Sequence, residues 1–112
     1  MLSILMIGAG GIGGYYGARL SEAGHKVVLT ARGAHLEALQ KKGLVVHYEN
    51  RLIDCRIPAV NHASLIRDYQ PSDFDVIVIA LKSTATQAVL NELAPWLAQS
   101  DVPVLSLQNG VD

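Results

Sequence analysis

The stretch Gly8-Ala9-Gly10-Gly11-Ile12-Gly13 limits what this chain can fold into more than any other part of it. Before it, residues 2–7 (LSILMI) form a short apolar run that ends abruptly in glycine, as a buried parallel strand does. After it, residues 11–23 read as a helix closed by Gly24, a good residue just past a helix end. In that setting each glycine has a task. Gly8 permits the tight turn out of the strand, Gly10 lets a ligand approach the backbone, and Gly13 lets the helix lie close on the sheet. The helix start, from Gly11 and Ile12, then offers unpaired N–H groups and a positive dipole end to an anion. Glycine clusters also make ordinary turns, but strand, turn and helix in this order point to the pyrophosphate of a dinucleotide. Gly14 and Gly17 extend the small-residue face of the helix.

The rest of the chain alternates in the same way. Residues 26–30 (KVVLT) predict a second strand, and 34–42 a second helix with Leu36 and Leu39 on one face and Gly43 closing it. Residues 44–48 and 52–60 predict two strands joined by the polar turn Glu49-Asn50-Arg51, with Pro58 marking the second as a sheet edge. A short helix at 64–69 leads to 75–81 (DVIVIAL), a β-branched run suited to a central strand covered on both faces. A helix at 84–98 and a strand at 103–107 complete the pattern. Such alternation calls for right-handed crossovers and a mostly parallel sheet, hence an α/β, doubly wound, Rossmann-like domain spanning 1–112. The chain stops just past a strand with no helix after it, so the expectation is one domain of a longer protein.

Charge narrows the partners. Nine Lys and Arg nearly balance ten Asp and Glu, with no block of like charge, so no global field attracts nucleic acid or an anionic membrane. No apolar run approaches the roughly 20 residues that cross a bilayer. The N-terminal apolar stretch lacks the basic start of a signal peptide. Cys55 is the single cysteine, which excludes an internal disulfide; a small residue on a strand is the plainer reading beside a reactive thiol. A cytoplasmic protein is expected. His25, His35, His47 and His62 are dispersed, so no metal site is expected. Trp96, Tyr15 and Tyr16 are read as packing residues, and Ser83 and Thr84 as caps of the helix that follows them.

Which dinucleotide is decided after the second strand. NAD-binding folds place Asp or Glu there to accept from the ribose 2′-OH. Here Thr30-Ala31-Arg32-Gly33 carries no acid, and Arg32 suits a 2′-phosphate, a charge-assisted contact of about 1.5–3 kcal/mol. An exposed loop arginine is the alternative. NADPH is therefore expected over NADH. Lys82, after the buried run, and Asn109, after the last strand, fall on the same sheet edge as the glycine turn, where open α/β sheets bind ligands. Taken singly, a strand-end lysine is often a surface residue and Asn109-Gly110 a simple turn.

Together Gly8-Ala9-Gly10-Gly11-Ile12-Gly13-Gly14, Ala31-Arg32-Gly33, Ala80-Leu81-Lys82-Ser83 and Leu107-Gln108-Asn109-Gly110-Val111 resemble the ketopantoate reductase (2-dehydropantoate 2-reductase) family. The resemblance runs through the whole chain and covers that family's N-terminal, cofactor-binding domain. It implies hydride transfer from NADPH to the keto carbon of 2-dehydropantoate, giving pantoate for pantothenate and coenzyme A synthesis. It implies cofactor contacts from Gly8 through Gly13, Arg32, Leu81, Lys82 and Asn109. Lys82 would serve the nicotinamide end, and Asn109 would touch both cofactor and substrate, its amide donating and accepting at once. The family's general-acid lysine and substrate-binding glutamate belong to a helical C-terminal domain beyond these residues, so the chain alone is expected not to turn over. Many members carry a glutamine three residues after the lysine, near the adenosine end; here Ala85 stands there and Gln87 follows, leaving that contact unassigned. Two other readings stay open: a family reductase of another 2-oxo acid, and a non-catalytic NADP-binding or sensing module. The one macromolecular partner considered is a second copy, in a homodimer.

Overall fold

The computed structural model describes residues 1–48 and 51–107. Its elements run β1 (Ser3–Ile7), α1 (Gly11–Glu22), β2 (Lys26–Thr30), α2 (Gly33–Lys42), β3 (Leu44–Tyr48), β4 (Arg51–Cys55), β5 (Ala59–Val60), α3 (His62–Asp68), β6 (Val76–Ile79), α4 (Ser83–Leu97) and β7 (Val104–Ser106). Five strands form one parallel sheet in the order β5-β2-β1-β6-β7. The order runs outward from β1 in both directions, which makes the gap between β1 and β6 the topological switch point of a doubly wound, Rossmann-like sheet.

Alternation along β1 and β6 divides the core in two. Ile4, Met6 and Val78 face one side, where Ala18 of α1 and Leu39 of α2 cover them. Leu5, Ile7, Ile77 and Ile79 face the other, under Leu65 of α3 and Leu93 and Trp96 of α4. Successive strand residues thus point to opposite layers, and both layers are apolar. The expected two-sided burial of the strand around Val76–Ile79 is borne out. Among the described residues no helix is long and apolar enough to cross a membrane.

The predicted strand 52–60 is corrected: it is two strands in different sheets. β4 pairs antiparallel with β3, Leu44 opposite Cys55, in a separate two-stranded ribbon. Residues 56–58 then break the strand, and β5 joins β2 at the edge of the main sheet. Pro58 has no N–H to give a ladder, so it sits at the entry to the edge strand, where its carbonyl accepts from the Leu29 amide. The expected turn at Glu49-Asn50 lies outside the described residues.

The expected caps of α4 are also corrected. Lys82, extended at φ −65° and ψ 148°, is the cap residue, and its side chain makes no capping hydrogen bond. Ser83 and Thr84 lie inside its first turn, because the backbone turns helical one residue earlier than the sequence suggested.

Candidate functional site

A cleft of about 1080 Å³ opens beyond the carboxyl ends of the parallel strands. That volume is just above the roughly 300–1,000 Å³ common for small-molecule sites. Its floor is the glycine turn. Gly8 adopts φ +104°, and an added Cβ would lie 2.6 Å from the Ala80 carbonyl oxygen and 2.7 Å from Leu81 Cδ2. The turn therefore passes directly against the end of β6, across the switch point. Gly13 is tighter still, with an added Cβ 1.8 Å from the Gly8 carbonyl oxygen. Gly17 packs on Leu29, so the small face of α1 is what lets the helix settle on β2.

Gly10 is different. An added Cβ there would meet nothing within 4 Å, although Gly10 lines the cleft. Among the described residues nothing requires glycine at that position. Gly10 is also the cap residue of α1 and makes no side-chain capping bond to its first turn, so α1 starts beside the cleft without a capping side chain. The site thus has the cradle an anionic dinucleotide needs.

Thr30 was missed by sequence reasoning, since a threonine ending a strand carries no signal of its own. Its hydroxyl, 2% exposed, accepts from the Gly8 amide at 3.0 Å and ties the turn to the end of β2. Two residues later Arg32 caps the start of α2, lines the cleft and makes no ion pair with another described residue. Its guanidinium stands by the same cleft as the turn, with no ion-pair partner among the described residues.

The opposite flank is built by β6, α4 and β7. Leu81 and Lys82 line the cleft, as does Leu107 after β7. Asn109, expected to face the same cleft, lies outside the described residues. Ala85 lines the cleft, whereas Gln87 bonds to Asn91 along α4 at 2.9 Å. Gln87 thus does not take up the contact that Ala85 leaves open. His62, at the start of α3, hydrogen-bonds through Nδ1 to Glu92 Oε2 of α4, and both line the cleft. These two residues are 30 apart in sequence and no motif announces them. Among the described residues, no three His, Cys, Asp or Glu side chains are grouped to hold a metal ion.

A glycine turn and a helix start at the switch point of a doubly wound parallel sheet, with Arg32 in the same cleft, make a Rossmann-like fold of the kind that dinucleotide-dependent oxidoreductases use. The family model described as ketopantoate reductase PanE/ApbA matches residues 4–112, and the chain belongs to that family. It is 36% identical over 113 residues to a 2-dehydropantoate 2-reductase of Mesorhizobium japonicum, covering 98% of this chain and 32% of that one. A solved PanE/ApbA family ketopantoate reductase from Ralstonia eutropha superposes with a TM-score of 0.82 at 34% identity, over 97% of this chain and 35% of that one. D-mandelate dehydrogenase, solved with NADH and anilino(oxo)acetate, gives a TM-score of 0.79 at 25% identity, over 98% and 34%. The chain spans about a third of the length of the curated relatives it matches.

Proposed function

We propose that this chain is the NADPH-binding part of a 2-dehydropantoate 2-reductase, which reduces the keto carbon of 2-dehydropantoate to give pantoate. The observation that carries the reading is one cleft lined by the glycine turn, Arg32 and Lys82 together. When bound, the cofactor supplies the hydride. The chain's own residues hold and orient it. The turn from Gly8 to Gly13 receives the pyrophosphate through the N–H groups at the start of α1, Arg32 pairs with the 2′-phosphate, and Leu81 packs beside the turn. Lys82 and Asn109 serve the nicotinamide end, where Asn109 also orients the substrate. The position of Leu107 in the cleft supports that role for Asn109 two residues on.

The choice of NADPH rests on Arg32. The D-mandelate dehydrogenase structure was solved with NADH, so the shared fold alone does not select the nucleotide. Calorimetry on the chain is expected to show tighter binding of NADPH than of NADH. Arg32→Ala should weaken NADPH about tenfold and leave NADH unchanged. Equal affinities in the unsubstituted chain, with no loss in the variant, would overturn the 2′-phosphate assignment.

Likeness to D-mandelate dehydrogenase favours one second reading, a family reductase acting on a different 2-oxo acid. Either way the 112 residues are expected to bind cofactor without 2-dehydropantoate-dependent oxidation of NADPH. A positioned proton donor for the developing alkoxide belongs, by the family pattern, to a segment outside them. Measurable turnover by the chain alone would contradict this two-part arrangement.

A further inference from the structure

At one end of the cleft the wall is a face of α4 that carries Ala85, Ala88 and Val89, opposite Ala63 in the first turn of α3. These side chains are small and apolar, which suits a flat ring. The hydrogen-bonded pair His62–Glu92 joins the two helices in the same slot. Such a pair in a cleft demands a reason, because an apolar contact between the helices would hold them as well. The Glu92 side chain is about half exposed, and among the described residues its other oxygen has no hydrogen-bond partner.

The slot's place follows from topology. With the pyrophosphate on the start of α1, Arg32 marks the β2 side of the cleft as the side of the 2′-phosphate. β5 lies beyond β2 on that side, and α3 begins directly after β5. The slot is therefore where the base attached to that ribose falls. Glu92 lies roughly 15 Å along α4 from Lys82, so a single helix spans both ends of the cleft.

We infer that Glu92, held by His62, reads the adenine base of the dinucleotide by accepting a hydrogen bond from its exocyclic amine. An ionised carboxylate can only accept, and the adenine amine donates there. Hypoxanthine presents a carbonyl at the same position, which repels a carboxylate. His62 acts as a positioning residue: its Nδ1–H occupies one Glu92 oxygen and turns the other toward the slot. This inference rests on the dinucleotide reading of the cleft and adds the group that selects the base.

The test compares binding of NADPH with that of its hypoxanthine analogue, using calorimetry on the chain. The unsubstituted chain should prefer adenine by about tenfold. Glu92→Gln, nearly isosteric and on an exposed side chain, should abolish or reverse that preference, because its amide can donate to the hypoxanthine carbonyl. His62→Ala should reduce the same ratio. In both variants the preference for NADPH over NADH should stay unchanged, since Arg32 sets it. An unaltered adenine-to-hypoxanthine ratio in Glu92→Gln overturns the inference and leaves the cofactor reading intact. Failure of the unsubstituted chain to bind either nucleotide overturns both.

Discussion

Gly13→Ala is expected to destabilise the chain by about 3 kcal/mol or more, while Gly10→Ala, three residues away, changes stability by less than about 1 kcal/mol and still weakens NADPH binding at least tenfold. The contrast follows from what each Cβ would meet. At Gly13 the new atom would lie 1.8 Å from the Gly8 carbonyl oxygen and 3.1 Å from Ala80 Cβ. Neither neighbour can yield cheaply. Gly8 is held at φ +104°, its amide is bonded to the buried Thr30 hydroxyl, and Ala80 ends a core strand. The helix must therefore lift from the sheet, and the first-turn N–H groups lift with it.

At Gly10 the new methyl meets no protein atom, and φ of −82° suits alanine. Its only cost arises when a ligand comes against the backbone. Urea unfolding followed by circular dichroism, with calorimetry of NADPH binding, separates the two effects. Undiminished binding in Gly10→Ala would remove the pyrophosphate from this turn. An unfolding free energy in Gly13→Ala equal to that of the unsubstituted chain would remove the packing account.

These two glycines also show how far the sequence could be read. The spacing of the motif announced the turn, but only the structure separates Gly13, which its neighbours require to be glycine, from Gly10, which no described neighbour does. β1 and β6 were legible because buried parallel strands are continuous apolar runs, and both helix ends at Gly24 and Gly43 were legible because glycine marks them. Gly24 and Gly43 do adopt positive φ, 97° and 80°. The break at residues 56–58 was hidden, since Cys55, Ile57 and Ala59 continue an acceptable strand pattern while the chain passes from one sheet to another. The side of the sheet that carries Arg32, Lys82 and Leu107 could be inferred, because parallel strands all end at one edge. Thr30 and the His62–Glu92 pair could not, because their meaning lies in partners 22 and 30 residues away.

Trp96 carries the other large effect. It is 2% exposed, sits in the layer of core beneath α3 and α4, and donates its indole N–H to the Tyr69 carbonyl at 2.9 Å. Trp96→Ala removes a large buried ring and leaves that carbonyl without its partner, and is expected to cost about 3–5 kcal/mol. Domains of this size have about 5–15 kcal/mol of stability in all, so the variant should be largely unfolded under mild denaturant. Trp96→Phe keeps most of the apolar volume and loses the hydrogen bond, so its cost should be smaller. The effect reaches the cleft, because Trp96 and Val89 belong to the same packed layer, and Val89 lines the base slot. Trp96→Phe should therefore bind NADPH more weakly while Arg32 still favours it over NADH. Urea midpoints for both variants, read with their NADPH affinities, test this. A Trp96→Ala unfolding free energy within about 1 kcal/mol of that of the unsubstituted chain would show that α4 is held to the sheet by something other than this layer.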